Sequence, residues 1–392
     1  MTASNYTLTA PRWNRIDGVD LLRGLSILFV LMNHVNMRLL FAHVPYTQGL
    51  PSQLVDSLVW NGQFGVQMFF VISGYLITST SIRRWGTPPA LSIKNFYLLR
   101  FARIAPLMLL LLVVLCTLHL AHLPGYVVSP KTGGLGRALL AALTLHINLL
   151  EATRGYLPGN WDILWSLSVE EMFYLFFPLV ARTFRNKNFL ILLLVLLAIA
   201  GPFARARAFN SNPVWREYSY FGGMDAIALG CLTAILLSNV RLSRKWIIVS
   251  GITGAALLVF SLCFSDVAYR YGLGRNGLNM SVLAVGACLV IAAAAQSPWR
   301  APRILAPLTM MGQRSYEIYL THMFAVLLLF TMFIRLGKPR LAVPALFLAA
   351  IIAAGILGWV VAVIYAEPMN RAIRRLSAVD KAHLGAAVPE AD

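Results

Sequence analysis

Charge is scarce in this chain, and acid scarcer still. Only 12% of the 392 residues are charged, with 15 acidic side chains against 33 Lys and Arg, while 58% are hydrophobic. With a mean hydropathy of +0.70, a soluble protein of this size would leave too much apolar surface in water. Cysteine is also sparse. Cys116, Cys231, Cys263 and Cys288 are scattered through apolar segments with no CxxC or Cys/His ligand spacing, so neither a disulfide frame nor a metal site is indicated. No GxSxG string occurs, which argues against a Ser-His-Asp hydrolase. No aromatic-basic module accompanies the net charge of +18, so nucleic acid is not the expected partner. In a membrane protein, Lys and Arg gather instead in the cytoplasmic loops. The polar N-terminus, MTASNYTLTAPRWNRID, lacks the apolar core of a signal peptide, so the first apolar helix is expected to be retained.

What the chain does have is apolar stretches of about twenty residues recurring from end to end, the mark of a polytopic helical membrane protein. The expected fold is all-α, a bundle of about ten transmembrane helices. Spans are read near 21–41, 62–80, 104–122, 164–181, 189–204, 220–238, 246–265, 278–296, 316–335 and 342–366. The stretch 136–150 is short for a crossing, and charge decides its status. If it does not span and the N-terminus is cytoplasmic, the inside segments hold twenty of the 33 basic residues and the outside segments twelve, with Arg23 at the boundary. Letting it span would put the clusters at 182–187, 241–245 and 300–314 outside. Both termini are therefore expected in the cytoplasm, with residues 1–20 and 367–392 flanking one membrane domain. The loop 123–163 is expected to be external and to carry an interfacial or re-entrant helix. No room is left for a separate soluble domain.

Ionisable groups inside these spans are expensive and therefore informative. His34 follows Arg23 by eleven residues on the first span, and eleven steps of 100° return to the same helix face. The rise of 1.5 Å per residue puts the imidazole roughly 16 Å above the guanidinium. Glu170 and Glu171 lie in WSLSVEEMFYLFFPL, Asp225 near the outer end of the sixth span, His322 in the ninth and Glu367 near the inner end of the tenth. The plainer reading of such groups is that they pair and hold helices together, and for Glu171 it is preferred. Asp225 and Glu367 stay open between pairing and function. Ser73-Gly74 is a small pair that admits close backbone approach. Arg100 and Arg103 are i,i+3 neighbours before an apolar span. They read either as snorkelling interfacial residues or as a fork for phosphate oxygens. Ser315, Tyr319 and His322 share one face of the ninth span.

In order along residues 20–322, these strings resemble the acyltransferase family 3 membrane enzymes, which O-acylate sugars and other hydroxyl acceptors. Arg23 and His34 match the R-x10-H of the family's first helix, FFVISGYLIT its Ser-Gly helix, and Arg100-Arg103 its RxxR. WSLSVEEMFY, with Trp165, matches the WSLxVE signature, and MDAIALG and RSYEIYLTH resemble two later blocks. The block before MDAIALG is usually more basic in the family and here reads FGG. Some relatives append an esterase-like domain. With about 25 residues after the last span, this chain is expected to lack one.

The resemblance implies an acyl-CoA donor, acetyl-CoA being the expected one, bound from the cytoplasm by Arg23, Arg100 and Arg103. It implies an acceptor hydroxyl on a glycan, a lipid-linked sugar or a similar molecule, in a bacterial inner membrane. An alcohol is a poor nucleophile, so attack on a thioester needs a base and a donor for the oxyanion. Neutral His34 is the expected base. Glu170 is expected to orient it or to bind the acceptor. Ser73, Gly74, Trp165, Tyr319 and His322 are expected to hold substrate or oxyanion. An acyl-His34 or acyl-Ser73 intermediate is an open route. The rival readings are a proton-coupled transporter or flippase of a glycan or small molecule, and a non-catalytic scaffold. The first is disfavoured by the lack of an inverted repeat or matched broken helices, and the second would not need His34.

Overall fold

The computed structural model describes residues 15–183 and 186–376. The expected cytoplasmic segment before residue 15 and the tail beyond residue 376, with Arg12, Arg185 and Lys381, lie outside the described residues. Among the described residues, ten helices are long and apolar enough to cross a membrane. We label their principal segments α1 (Asp17–Phe41), α2 (Gly62–Trp85), α3 (Ile93–Leu120), α4 (Leu164–Thr183), α5 (Lys187–Arg205), α6 (Tyr220–Asn239), α7 (Arg244–Cys263), α8 (Leu278–Gln296), α9 (Ser315–Arg335) and α10 (Val343–Val361). Each predicted span falls on one of them. The described residues contain no β-strand.

Local chemistry sets the ends. Ser92 opens α3 by accepting the Asn95 N–H, Asn186 opens α5 through Asn188 N–H at 2.9 Å, and Ser219 opens α6 through Gly222 N–H at 3.1 Å. Gly86, at φ 78°, ends α2 in a conformation that side chains rarely adopt. The stretch 136–150 forms no helix long enough to cross a membrane. It breaks at Thr144–His146, with Leu145 at φ 60°, into the helices Gly134–Leu143 and Ile147–Arg154.

Polar contacts between distant loops fix the two ends of the bundle. Arg300 and Ala301 N–H reach the Asp17 carboxylate at the start of α1, whereas Lys338 reaches the Ala42 carbonyl beyond its end. The end holding residues 15–20 is called the proximal end and the other the distal end.

Burial divides the helices. In α2, α4 and α9 more than half of the apolar window lies inside the protein, whereas in α5 and α7 only 17% does. The inner helices meet through glycine. A Cβ on Gly74 of α2 would collide with the Ile227 carbonyl of α6, and one on Gly230 of α6 with the Val71 carbonyl of α2. Such close approach gives dispersion contacts that lipid tails cannot supply. The same logic joins Gly24 of α1 to Leu308 and Gly312 to Asp20, seating the short helix Ala306–Gln313 against α1.

Candidate active site

A cavity of about 510 Å³ opens among α1, α2, α3, α4 and α9. Arg23, Ser73, Arg100, Arg103, Glu170 and Tyr319 of the predicted set line it. Gly74, Trp165, His34 and His322 are not among its lining residues. Gly74 is consumed in the contact with α6, and Trp165 is stacked flat on Tyr218, ring centroids 4.2 Å apart.

Inside the cavity, α2, α3 and α4 build one network. The Ser73 hydroxyl donates to Glu170 Oε1 and is in contact with the Tyr174 hydroxyl. Tyr174, one helical turn after Glu170, donates to the same oxygen at 2.8 Å. Arg100 lies 3.6 Å from Glu170 and 3.1 Å from Glu171, its guanidinium 3.7 Å from the Tyr174 ring centroid. Arg103 lies 3.6 Å from Glu317, a carboxylate buried at the start of α9. Arg23 Nε donates to Ser315 Oγ at 3.0 Å. The RxxR arginines are thus directed at carboxylates across the helix interface, and pairing is also the fate of Glu171. Sequence reasoning missed Tyr174 and Glu317, although Tyr174 lies one turn after Glu170, which it did single out.

The deep end of the cavity meets Tyr319 and Phe69, packed edge to face. Tyr319 is in hydrogen-bond contact with Ser166 and donates to the Ile163 carbonyl. Beyond Tyr319 stands His322, fully buried, its ring centroid 5.8 Å from that of Tyr319. His322 Nδ1 is 2.7 Å from the Tyr319 carbonyl, which can only accept, so in the neutral ring Nδ1 carries the hydrogen. Its Nε2 is then an acceptor and lies 3.2 Å from His34 Nδ1. His34 Nδ1 also lies 2.9 Å from the Val30 carbonyl. Both partners require a hydrogen on His34 Nδ1, which leaves the lone pair on His34 Nε2. A neutral histidine with a free Nε2 is the form a general base needs.

The distal side of His34 holds a second polar group that sequence reasoning did not find. Arg38, one turn beyond His34, packs near Gly159 and faces Asp162. The Tyr218 hydroxyl donates to Asp162 Oδ1 at 3.2 Å. Glu151, completely buried, accepts the Leu157 N–H at 3.0 Å and is in hydrogen-bonding reach of Asp162. Burial and the neighbouring Asp162 carboxylate push the Glu151 carboxyl well above the usual range. The i,i+4 relation of Arg38 to His34 was the available signal.

Asp225 and Glu367, left open by the sequence, are both paired. Arg205 clasps Asp225 with two contacts of 2.9 and 2.7 Å, while Gln67 and Ser281 donate to the same carboxylate. Glu367 pairs with Arg314.

The fold is that of a polytopic membrane protein, and the chain belongs to acyltransferase family 3. The family model, an acyltransferase domain, matches residues 16–363. Among curated proteins it is similar to the O-acetyltransferase OatA of Staphylococcus aureus (strain NCTC 8325 / PS 47), 27% identical over 330 residues, covering 80% of this chain and 50% of that protein. It is likewise similar to the peptidoglycan O-acetyltransferase OatA of Listeria monocytogenes, 26% identical over 351 residues, covering 83% of this chain and 51% of that protein. The chain therefore spans about half the length of these relatives. No solved structure matches it.

Proposed function

We propose that this protein is an integral-membrane O-acetyltransferase that takes acetyl from acetyl-CoA and passes it to a hydroxyl of a cell-envelope glycan. Family membership and the names of the relatives support the transfer of acetyl to oxygen, and the Listeria relative supports a peptidoglycan-type acceptor. The single observation that carries the reading is a cavity that runs from the basic proximal end to Ser73, Glu170 and Tyr319, with the His34–His322 pair behind it. The charge bias supports a cytoplasmic proximal end and cytoplasmic termini.

In this reading the thioester enters along α2 and stops near Tyr319. The acceptor comes from the distal side, past Arg38 and Asp162. His34 Nε2 takes the hydroxyl proton, the oxygen attacks the thioester carbonyl, and CoA leaves as the thiol after the proton is passed on. His322 holds His34 in the required tautomer, and the Tyr319 hydroxyl, on turning from the Ile163 carbonyl, steadies the oxyanion.

A second route is favoured by one observation: Ser73, and not His34, is among the residues that line the cavity, and its hydroxyl donates to a carboxylate. Ser73 Oγ would attack the thioester as its proton passes to Glu170, which hands the same proton to the departing sulfur, so that CoA leaves as CoA-SH. The acceptor hydroxyl, deprotonated by His34, would then take acetyl from Ser73, which regains a proton. Incubating the purified protein with acetyl-labelled acetyl-CoA and peptidoglycan fragments tests the function. The expected products are labelled glycan ester and one CoA-SH per ester. Label recovered on Ser73 after a donor-only incubation would select the second route. No CoA-SH release would refute both.

A further inference from the structure

His34 and Arg38 stand one turn apart on the same face of α1, roughly 6 Å from each other along its axis. Both keep part of their surface open, and neither lines the cavity described above. The open side of His34 therefore lies outside that cavity, on the face it shares with Arg38.

Among the described residues the Arg38 guanidinium makes no hydrogen bond and no ion pair, and its buried Nε is unmet. It stands 6.0 Å from the Phe41 ring and, beyond ion-pair range, faces Asp162 and Tyr126. Gly159 makes room for it. A Cβ there would come within 2.5 Å of Arg38 Nη2 and 2.6 Å of the Met323 methyl. The next residue, Asn160, is completely buried, and neither end of its amide has a hydrogen-bond partner among the described residues. A buried amide unmet at both ends is rare and calls for a partner.

Charge decides what this place can hold. Glu151 and Asp162 are in hydrogen-bonding reach of each other, so one hydrogen between them leaves a single negative charge opposite Arg38. The next carboxylate, Glu217, faces Asp162 and lies beside Arg216. The balance is close to neutral. A phosphate or carboxylate would meet these acids, whereas a sugar hydroxyl can accept from Arg38 and donate to Asp162. Tyr156, 57% exposed and edge-on to Tyr218 at 6.0 Å, adds an apolar ring face with a polar tip. The spacing from His34 to Arg38 is about the width of one pyranose ring.

We propose that Arg38 and Asp162 form the acceptor subsite, gripping an uncharged sugar residue by hydroxyls on one edge while the hydroxyl to be acetylated, on the opposite edge, reaches His34 Nε2. This rests on the transferase reading above. The test uses the full-length protein with acetyl-CoA and peptidoglycan fragments. Arg38→Ala and Asp162→Asn should each raise KM for the fragments about tenfold or more, the worth of a charged hydrogen bond, and leave KM for acetyl-CoA unchanged. Arg38→Lys should recover part of the loss. Gly159→Ala keeps the charge but pushes the guanidinium aside, so it should raise the same KM, and it decides the matter if Arg38→Ala does not fold. Chitotetraose, an uncharged sugar chain, should compete with the fragments, and the same chain oxidised to carboxylates at its primary alcohols should compete about tenfold less well. Equal KM shifts for fragments and acetyl-CoA, no shift in variants that melt like the wild type, or a carboxylated chain that competes as well as the neutral one would overturn the proposal while the transferase reading stands. A wild type that releases no CoA-SH from acetyl-CoA would remove that reading and this one together.

Discussion

Of the arginine–carboxylate networks among the described residues, Arg205–Asp225 and Arg100–Glu170–Glu171 are built to opposite ends. Arg205–Asp225 is closed: the guanidinium has 8% of its side chain exposed and the carboxylate none, and Gln67 and Ser281 complete the shell. Arg100–Glu170–Glu171 is open: both carboxylates keep partial exposure, and Glu170 faces a cavity through Ser73 and Tyr174. Charge pairing alone therefore does not separate structural from functional residues in a membrane. Access does. A saturated, sealed pair locks helices α2, α5, α6 and α8 together, whereas a pair left open to a cavity can change partners when a substrate arrives.

That contrast can be broken or sharpened by substitution. The largest effect is expected at the open side. His34→Ala should lower acetyl transfer by about 10²- to 10⁴-fold, the usual contribution of a general base, with normal insertion and melting. Initial rates at saturating acetyl-CoA check it, and undiminished turnover would remove His34 from the mechanism. Next, Asp225→Ala should leave Arg205 buried without its partner and destabilise the fold by about 3–5 kcal/mol. Unfolding in detergent would measure this, and full activity per folded molecule is the expected companion result. Glu170→Gln should show the reverse pattern, a loss of kcat with little change in melting, because Tyr174 and Arg100 still border an amide of the same shape. If Glu170→Gln destabilises as much as Asp225→Ala, the distinction between open and closed networks fails. Trp165→Leu should cost about 0.5–1.5 kcal/mol of stacking against Tyr218 beyond its lost area, again read by melting.

The smallest effect is a pH dependence outside the spans. Burial and the Asp162 carboxylate raise the Glu151 carboxyl well above its ordinary value. Its contribution to stability is complete below the ordinary carboxyl value of 4.5 and is lost as pH rises through its raised value. Melting temperature should decline on the alkaline side, and Glu151→Gln should flatten that decline. An unchanged slope would show that another group titrates there.

The ten spans were legible because twenty-residue apolar runs leave few alternatives in a bilayer. Arg23 and His34 were legible because they share one helix, where spacing sets the face. The Ser73–Glu170–Tyr174 contact was only half legible. Its members are on two helices, α2 and α4, whose relative depth and rotation are set by tertiary packing, which no local spacing reports. The break at Leu145 was missed because a positive φ at leucine runs against its local preference and is imposed by tertiary contacts, including the Tyr220 hydroxyl on the Leu145 carbonyl.

The glycine contacts between α2 and α6 carry one more consequence. Where carbonyl meets Cα with no intervening side chain, neither helix can slide a full turn past the other without driving a bulky neighbour, Phe70 or Ile227, into main chain. A rocker of the kind that carries cargo across a bilayer needs such slippage between its halves. A seam fused in this way instead makes a fixed anvil, and the cavity-lining face of α2 keeps its place against α6.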